Sequence, residues 1–245
     1  MKISTCTVSY EGYSNISGND SRLILLEESI KKLKKENVDL ATFPGGFLFA
    51  NNLEYVIKLS KQIRILAIKY NIHIALGIDT KQKSIKEKDA FIINYSLPWF
   101  AMIIYPDNKA PALWRQRSFN SKNQKYTSKE ICNEIRTLNI NLKTIEILMC
   151  GEIFNPKIRS SIIKRGINIA IDLGHTSKGF RVVSAMKVLA KNGVKTFCSV
   201  HTQAQNAMKY SYIPEKSNEF KKISTRNTDI LIDSKPRLEF AIWNI

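Results

Sequence analysis

An α/β fold is predicted for this 245-residue chain by three observations. Apolar runs suited to buried strands alternate with stretches whose apolar residues recur at helical spacing. That alternation occurs twice, over residues 2–78 and again over 144–200. Hydrophobic residues make up 44% of the sequence, enough for one large core, and the length fits a single domain spanning 1–245.

The first strand is expected at 2–9, followed by a polar loop and a helix from about Ser21 on which Leu23, Leu26, Ile30 and Leu33 form one face. Residues 38–43 read as a buried strand that Pro44-Gly45-Gly46 stops. Leu53, Val56, Ile57, Ile63, Leu66 and Ala67 mark a second long helix before a strand at 72–78. The apolar runs 90–95 and 100–105, separated by Leu97-Pro98, read as an antiparallel pair. The basic, polar stretch 107–129 is too long for an ordinary connection and reads as a functional or mobile loop. Thr127 and Glu130 have capping-box spacing for a short helix.

The most regular part follows: strand 144–149, helix 156–164, strand 167–173, helix 179–191 and strand 194–200. Asn155 as N-cap and Pro156 at the first helical position give the first of these helices a well-marked start. Residues 228–232 and 238–243 suit a closing pair of strands.

Charge and cysteine usage narrow the setting. The 38 Lys and Arg against 21 Asp and Glu give a net charge of +17. The cations are spread over Lys31, Lys32, Lys34 and Lys35, over Lys81, Lys83, Lys86 and Lys88, and over Lys221 and Lys222, with no nucleic-acid module or aromatic platform among them. Solvated faces are therefore expected, with at most weak, non-specific affinity for nucleic acid. No run of about 18 apolar residues and no basic segment leading an apolar one at the N-terminus is visible, so a cytoplasmic protein without a membrane partner is expected. Cys6, Cys132, Cys150 and Cys198 are scattered without a CxxC pair, which suits free thiols in a reducing compartment.

Three chemistry-bearing residues fall at the C-terminal ends of successive strands: Cys150, His175 and His201. Ligands gather at that edge of open α/β sheets. A thiol there becomes nucleophilic when a helix start or an imidazole lowers its pKa or takes its proton. Glu152 could orient a histidine or accept a proton itself, and Gly151 suits a tight strand-to-helix turn that leaves Cys150 exposed. Taken alone, each residue has a plainer reading, Cys150 as a small buried hydrophobe and each histidine as a structural donor. A metal site from Cys198, His201 and Cys150 is disfavoured, because Cys198 and His201 would point to opposite faces of one strand, and no metal or cofactor is expected.

The segment Ile145-Glu146-Ile147-Leu148-Met149-Cys150-Gly151-Glu152, with Pro156 and Gly166 after it, resembles the nitrilase (carbon-nitrogen hydrolase) superfamily: an apolar strand, Cys, one residue, an acid, then Pro and a helix. Asn37-Val38-Asp39-Leu40-Ala41-Thr42-Phe43-Pro44 resembles the strand that leads to the family's catalytic Glu. The resemblance implies a four-layer αββα sandwich, attack of the Cys thiolate on an amide or nitrile carbon, a Glu base, a Lys that stabilises the tetrahedral species, and a homodimer. The chain departs from this at Gly45, where the Glu would stand, and at Gln116, where the Lys would stand. Arg115 or Arg117 is then the candidate cation, though neither replaces a Lys simply. His175 or His201 is the candidate base, with Glu152 as orienter. Gly45, Gly46, Phe47, Gly151 and Phe154 are the expected pocket residues. Three readings stand: a divergent carbon-nitrogen hydrolase or acyltransferase, a silent relative that binds a small molecule or protein, and a basic nucleic-acid-associated protein.

Overall fold

A computed structural model describes residues 1–9, 18–80, 99–118, 135–175, 180–202, 211–213, 220–226 and 237–245. Strand β1 (Lys2–Ser9) lies at the centre. It pairs in parallel with β2 (Leu40–Thr42) along Ile3 to Thr5 and with β10 (Lys195–Thr202) along Thr7 to Ser9, and antiparallel with β13 (Arg237–Asn244). Two half-sheets meet there. One runs outward from β2 through β4 (His73–Thr80) and β5 (Trp99–Ile104) to β6 (Ala112–Arg115); the other runs from β10 through β9 (Ile169–Gly174) and β8 (Lys143–Met149) to β7 (Thr137–Ile140).

Three apolar clusters glue four layers together. Helices α1 (Gly18–Lys35) and α2 (Leu53–Tyr70) bury Leu26, Ile30, Val56 and Ile63 against Ile74 and Met102 of the first half-sheet. Helices α3 (Pro156–Lys164) and α4 (Phe180–Ala190) bury Ile158, Ile162, Met186 and Leu189 against Leu148 and Ala170 of the second. Between the half-sheets, Ala75, Ala101, Ile145, Ile147 and Ile171 form the middle cluster. This is the expected αββα sandwich. Strand β9 is buried at all six positions because it is covered on both faces, so it shows a continuous apolar run rather than alternation. None of the described helices is long and apolar enough to cross a membrane.

Local signals set most boundaries. Asn155 caps α3 by accepting from the Lys157 N–H at 3.0 Å, and α2 begins with Asn52 accepting from the Tyr55 N–H at 2.8 Å. Asn71, left-handed at φ 47°, ends α2. Several expectations are corrected. Helix α1 starts at Gly18 rather than near Ser21. A three-residue strand, β3 (Leu48–Ala50), follows the Pro44-Gly45-Gly46 turn and is too short for a pattern to show. The stretch expected to be loop from 107 contains β6, and β7 precedes β8 as a hairpin. Run 100–105 pairs with β4. Its expected partner 90–95, the helix near Thr127 and the strand 228–232 lie outside the described residues. Strand β11 (Ser211–Tyr212) pairs antiparallel with β10, and β13 pairs with β12 (Phe220–Arg226).

Candidate active site

Strands β2, β4, β8, β9 and β10 are linked by parallel pairings, so their C-terminal ends share one edge. Cys150 leaves β8 there at φ 45°, a left-handed conformation unfavourable for a residue with a Cβ by about 1–2 kcal/mol. Such strain persists where the surroundings enforce it, and it concentrates at functional sites. The turn lifts the half-buried thiol off the strand and into a short 3-10 turn, Cys150–Phe154.

His175 leaves the neighbouring β9, whose Leu173 pairs with Met149. Its ring hydrogen-bonds Cys150, and its Nε2 lies 2.6 Å from Asp79 Oδ1, at the end of β4. Trp99, paired with Asp79 across β4 and β5, sets its ring edge-on to His175 at 5.6 Å. Burial alone would push the His175 pKa down. The hydrogen bonds to Asp79 and Cys150, with the charges of both, outweigh it and raise the pKa to about 10. The imidazole is thus a cation at neutral pH, held between a carboxylate and the thiol. Gly45 makes room for it: a Cβ there would stand 2.8 Å from His175 Nδ1, and one on Gly46 would stand 2.8 Å from Asp79 Oδ2.

No protein-family model and no curated protein matches the chain. Solved structures do. An amidase from Nesterenkonia sp. AN1, with acrylamide added to its active-site cysteine, matches at TM-score 0.60 and 10% identity over 100% of this chain and 93% of that one. Another structure of that amidase, described as from the nitrilase superfamily, matches at TM-score 0.56 and 10% identity, covering 98% and 90%. The C. elegans NitFhit protein matches at TM-score 0.58 and 15% identity, covering 98% of this chain and 60% of that one. The chain has the nitrilase-superfamily fold.

Within this nitrilase fold the other expected site residues fall into different places. His201, on β10, turns to the main chain, where its Nδ1 donates to the His175 carbonyl at 3.0 Å. Burial first, then the His175 cation and Arg22, lower its pKa to about 4 against the hydrogen bond to His175, so it is neutral. Glu152 is fully buried and hydrogen-bonds neither histidine. Its carboxylate accepts from the Arg117 N–H, from Arg117 Nη2 at 2.9 Å, from Arg136 Nη1 at 3.2 Å and from the Met149 N–H at 3.3 Å. Arg117 also pairs with Glu146 at 3.2 Å, and Glu146 with Arg165 at 3.0 Å. Arg115 stacks over the Phe100 ring at 4.7 Å.

Of the expected pocket residues, Phe47 packs on Phe43 at 4.7 Å within the α1–α2 core. Phe154 packs on the α3–α4 core and Gly151 is buried. Cys198 donates to Asp172 Oδ2 at 3.7 Å in the helix-facing layer. Asp79 was missed by the sequence reading because strand 72–78 stops one residue before it. A list of every titratable residue at a strand's C-terminal end would have included it.

Proposed function

We propose that the chain cleaves a carbon-nitrogen bond of a small amide through Cys150, with His175 as the proton carrier and Asp79 as its orienting carboxylate. The observation that carries this reading is the hydrogen-bonded line Asp79–His175–Cys150 at one strand edge. It contains a nucleophile, a base within reach and a third group that fixes the base, which is the arrangement acyl transfer needs. On this reading His175 occupies the space over Gly45 and supplies the proton transfer that the resemblance assigns to a Glu.

The steps follow from the charges. The Cys150 thiolate, stabilised by the His175 cation, attacks the amide carbon, and the carbonyl electron pair moves to oxygen. As the tetrahedral species collapses, His175 gives its proton to the leaving nitrogen, the C–N bond breaks and an acyl thioester remains. Acylation removes the thiolate charge that helps hold the proton on His175, so its pKa falls and the ring, having given its proton to the leaving nitrogen, stays neutral and free to accept another. It can then take a proton from water as that water attacks the thioester, and thiolate is regenerated. Asp79 holds Nε2 throughout, which keeps the other ring nitrogen available. Structural neighbours with this fold were solved with butyramide and with acrylamide, which supports starting from small aliphatic amides.

Ammonia release from a panel of such amides tests the proposal. Cys150→Ala should abolish release, and His175→Ala should lower kcat by about 10²- to 10⁴-fold, the range for a positioned general acid–base. A wild type that hydrolyses none of them, with Cys150 alkylated no faster than a free thiol, would instead identify a silent binding protein.

A further inference from the structure

We infer that the side-chain oxygen of Gln116 accepts an N–H from the substrate's carboxamide, which makes Gln116 a specificity-determining residue of the amide-cleaving site proposed above. The inference rests on that proposal for the location of the reacting group. The first observation is where the side chain goes. The Gln116 N–H donates to the Trp99 carbonyl at 2.9 Å, continuing the β5–β6 ladder one pair beyond Phe100 and Arg115. Leu113 faces the α1–α2 core, while Trp114 and Trp99 face the middle cluster. Alternation along the extended ladder therefore puts Gln116 on the face of Trp99, whose ring packs against His175.

The second observation is the state of the amide. Gln116 is 5% exposed, and its Nε2 donates to the Ser118 carbonyl. A carbonyl can only accept, so the nitrogen must stand on that side and Oε1 on the other. Oε1 is buried and has no hydrogen-bond partner among the described residues. An acceptor left this way carries its desolvation penalty in full, and a native structure retains such a group where something else will satisfy it. On the face that Gln116 shares with Trp99, whose ring meets His175, the group that arrives on the proposed reading is the substrate. An amide brings an N–H to that oxygen; an ester of the same acyl group brings only lone pairs and leaves the acceptor unmatched. Sites built around such an acceptor discriminate strongly against the analogue that lacks the donor.

The test compares alkylation of Cys150 by acrylamide and by methyl acrylate on the full chain, followed by peptide mass mapping. Each rate is divided by that reagent's rate with N-acetylcysteine. In both reactions sulfur bonds to the terminal carbon and the α-carbon takes a proton, so the reagents differ in NH2 against OCH3. Wild type should favour acrylamide by about tenfold after this correction. Gln116→Met should erase the preference, and Gln116→Glu, which keeps an acceptor oxygen, should retain it. A wild-type ratio near one overturns the inference, as does a cooperatively folded Gln116→Met that keeps the preference. If Gln116→Met does not fold, loss of the preference in Gln116→Glu overturns it. Labelling needs no turnover, so a wild type that prefers acrylamide but hydrolyses no amide would refute the hydrolase proposal and leave N–H recognition by Gln116 standing.

Discussion

At the scale of single residues, the site depends on His175 being charged and on nothing occupying its place. Its pKa of about 10 arises against burial, through Asp79 and Cys150, so either Asp79→Asn or Cys150→Ala should bring it down. NMR titration of the imidazole would show this; an unchanged value in both variants would remove the triad. Because the folded pKa lies above the ordinary 6.5, this group's contribution to stability is complete below pH 6.5 and is lost as pH rises through about 10. His201 has the opposite sign. Its folded pKa of about 4 gives a contribution present above pH 6.5 and lost as pH falls toward 4. Gly45 supplies a second residue-level prediction. The Cβ of Gly45→Ala would stand within 3 Å of both His175 Nδ1 and the Leu173 carbonyl, so the ring must shift. Iodoacetamide should then alkylate Cys150 roughly tenfold more slowly, the order expected when a positioned base moves out of reach.

At the scale of elements, Glu152 ties the turn that carries Cys150 to its neighbours. Arg117 follows β6, Arg136 precedes β7, and the Met149 N–H ends β8; all three donate to one carboxylate. This explains how a strained φ at Cys150 is held: the residues on either side of it cannot relax without breaking buried ion pairs. Burial opposes the Glu152 charge, but Arg117 and Arg136 outweigh it and set the pKa below its ordinary 4.5. The resulting stability is present above pH 4.5 and is lost as pH falls below that value. Glu152→Gln removes the carboxylate that two buried guanidinium groups share, leaving Arg117 its pairing with Glu146, and should destabilise the fold by about 3–5 kcal/mol, read from urea unfolding. A change under 1 kcal/mol would show that the network contributes little.

At the scale of the whole molecule, the +17 charge and the candidate site are separate matters. Ion pairs at the candidate site are internal, whereas the surface bridge described, Lys69 to Glu27 on α2 and α1, is half-exposed on both sides. A diffuse basic surface should bind single- or double-stranded nucleic acid weakly and without sequence preference. Fluorescence anisotropy should show affinity falling at least tenfold between 50 and 200 mM salt, because each neutralised phosphate releases a counterion. Base-specific binding that persists at the higher salt would favour the nucleic-acid reading instead. The homodimer implied by the family resemblance stays an expectation, and light scattering of the full chain would test it.

The sequence by itself determined which segments bury an apolar face and where the strongest of them begin and end. The helix at 156–164 was readable to the residue because Asn155 accepts from the Lys157 N–H and Pro156 has no N–H to leave unmet. Alternating and continuous apolar runs identified most strands, and their order placed Cys150 and His175 at one edge. Short or polar strands left no such trace: β3 has three residues, and β12, Phe-Lys-Lys-Ile-Ser-Thr-Arg, has too few apolar residues to show a period. Only the tertiary structure decided which polar groups meet. Asp79 and His175 are 96 residues apart, and Glu152 finds Arg117 across 35. Local periodicity reports what a segment hides from water, whereas the partner of a polar side chain depends on strand order and on how two half-sheets close. That closure put His175 rather than His201 against Cys150, and it set Glu152 against Arg117 and Arg136 rather than against either histidine.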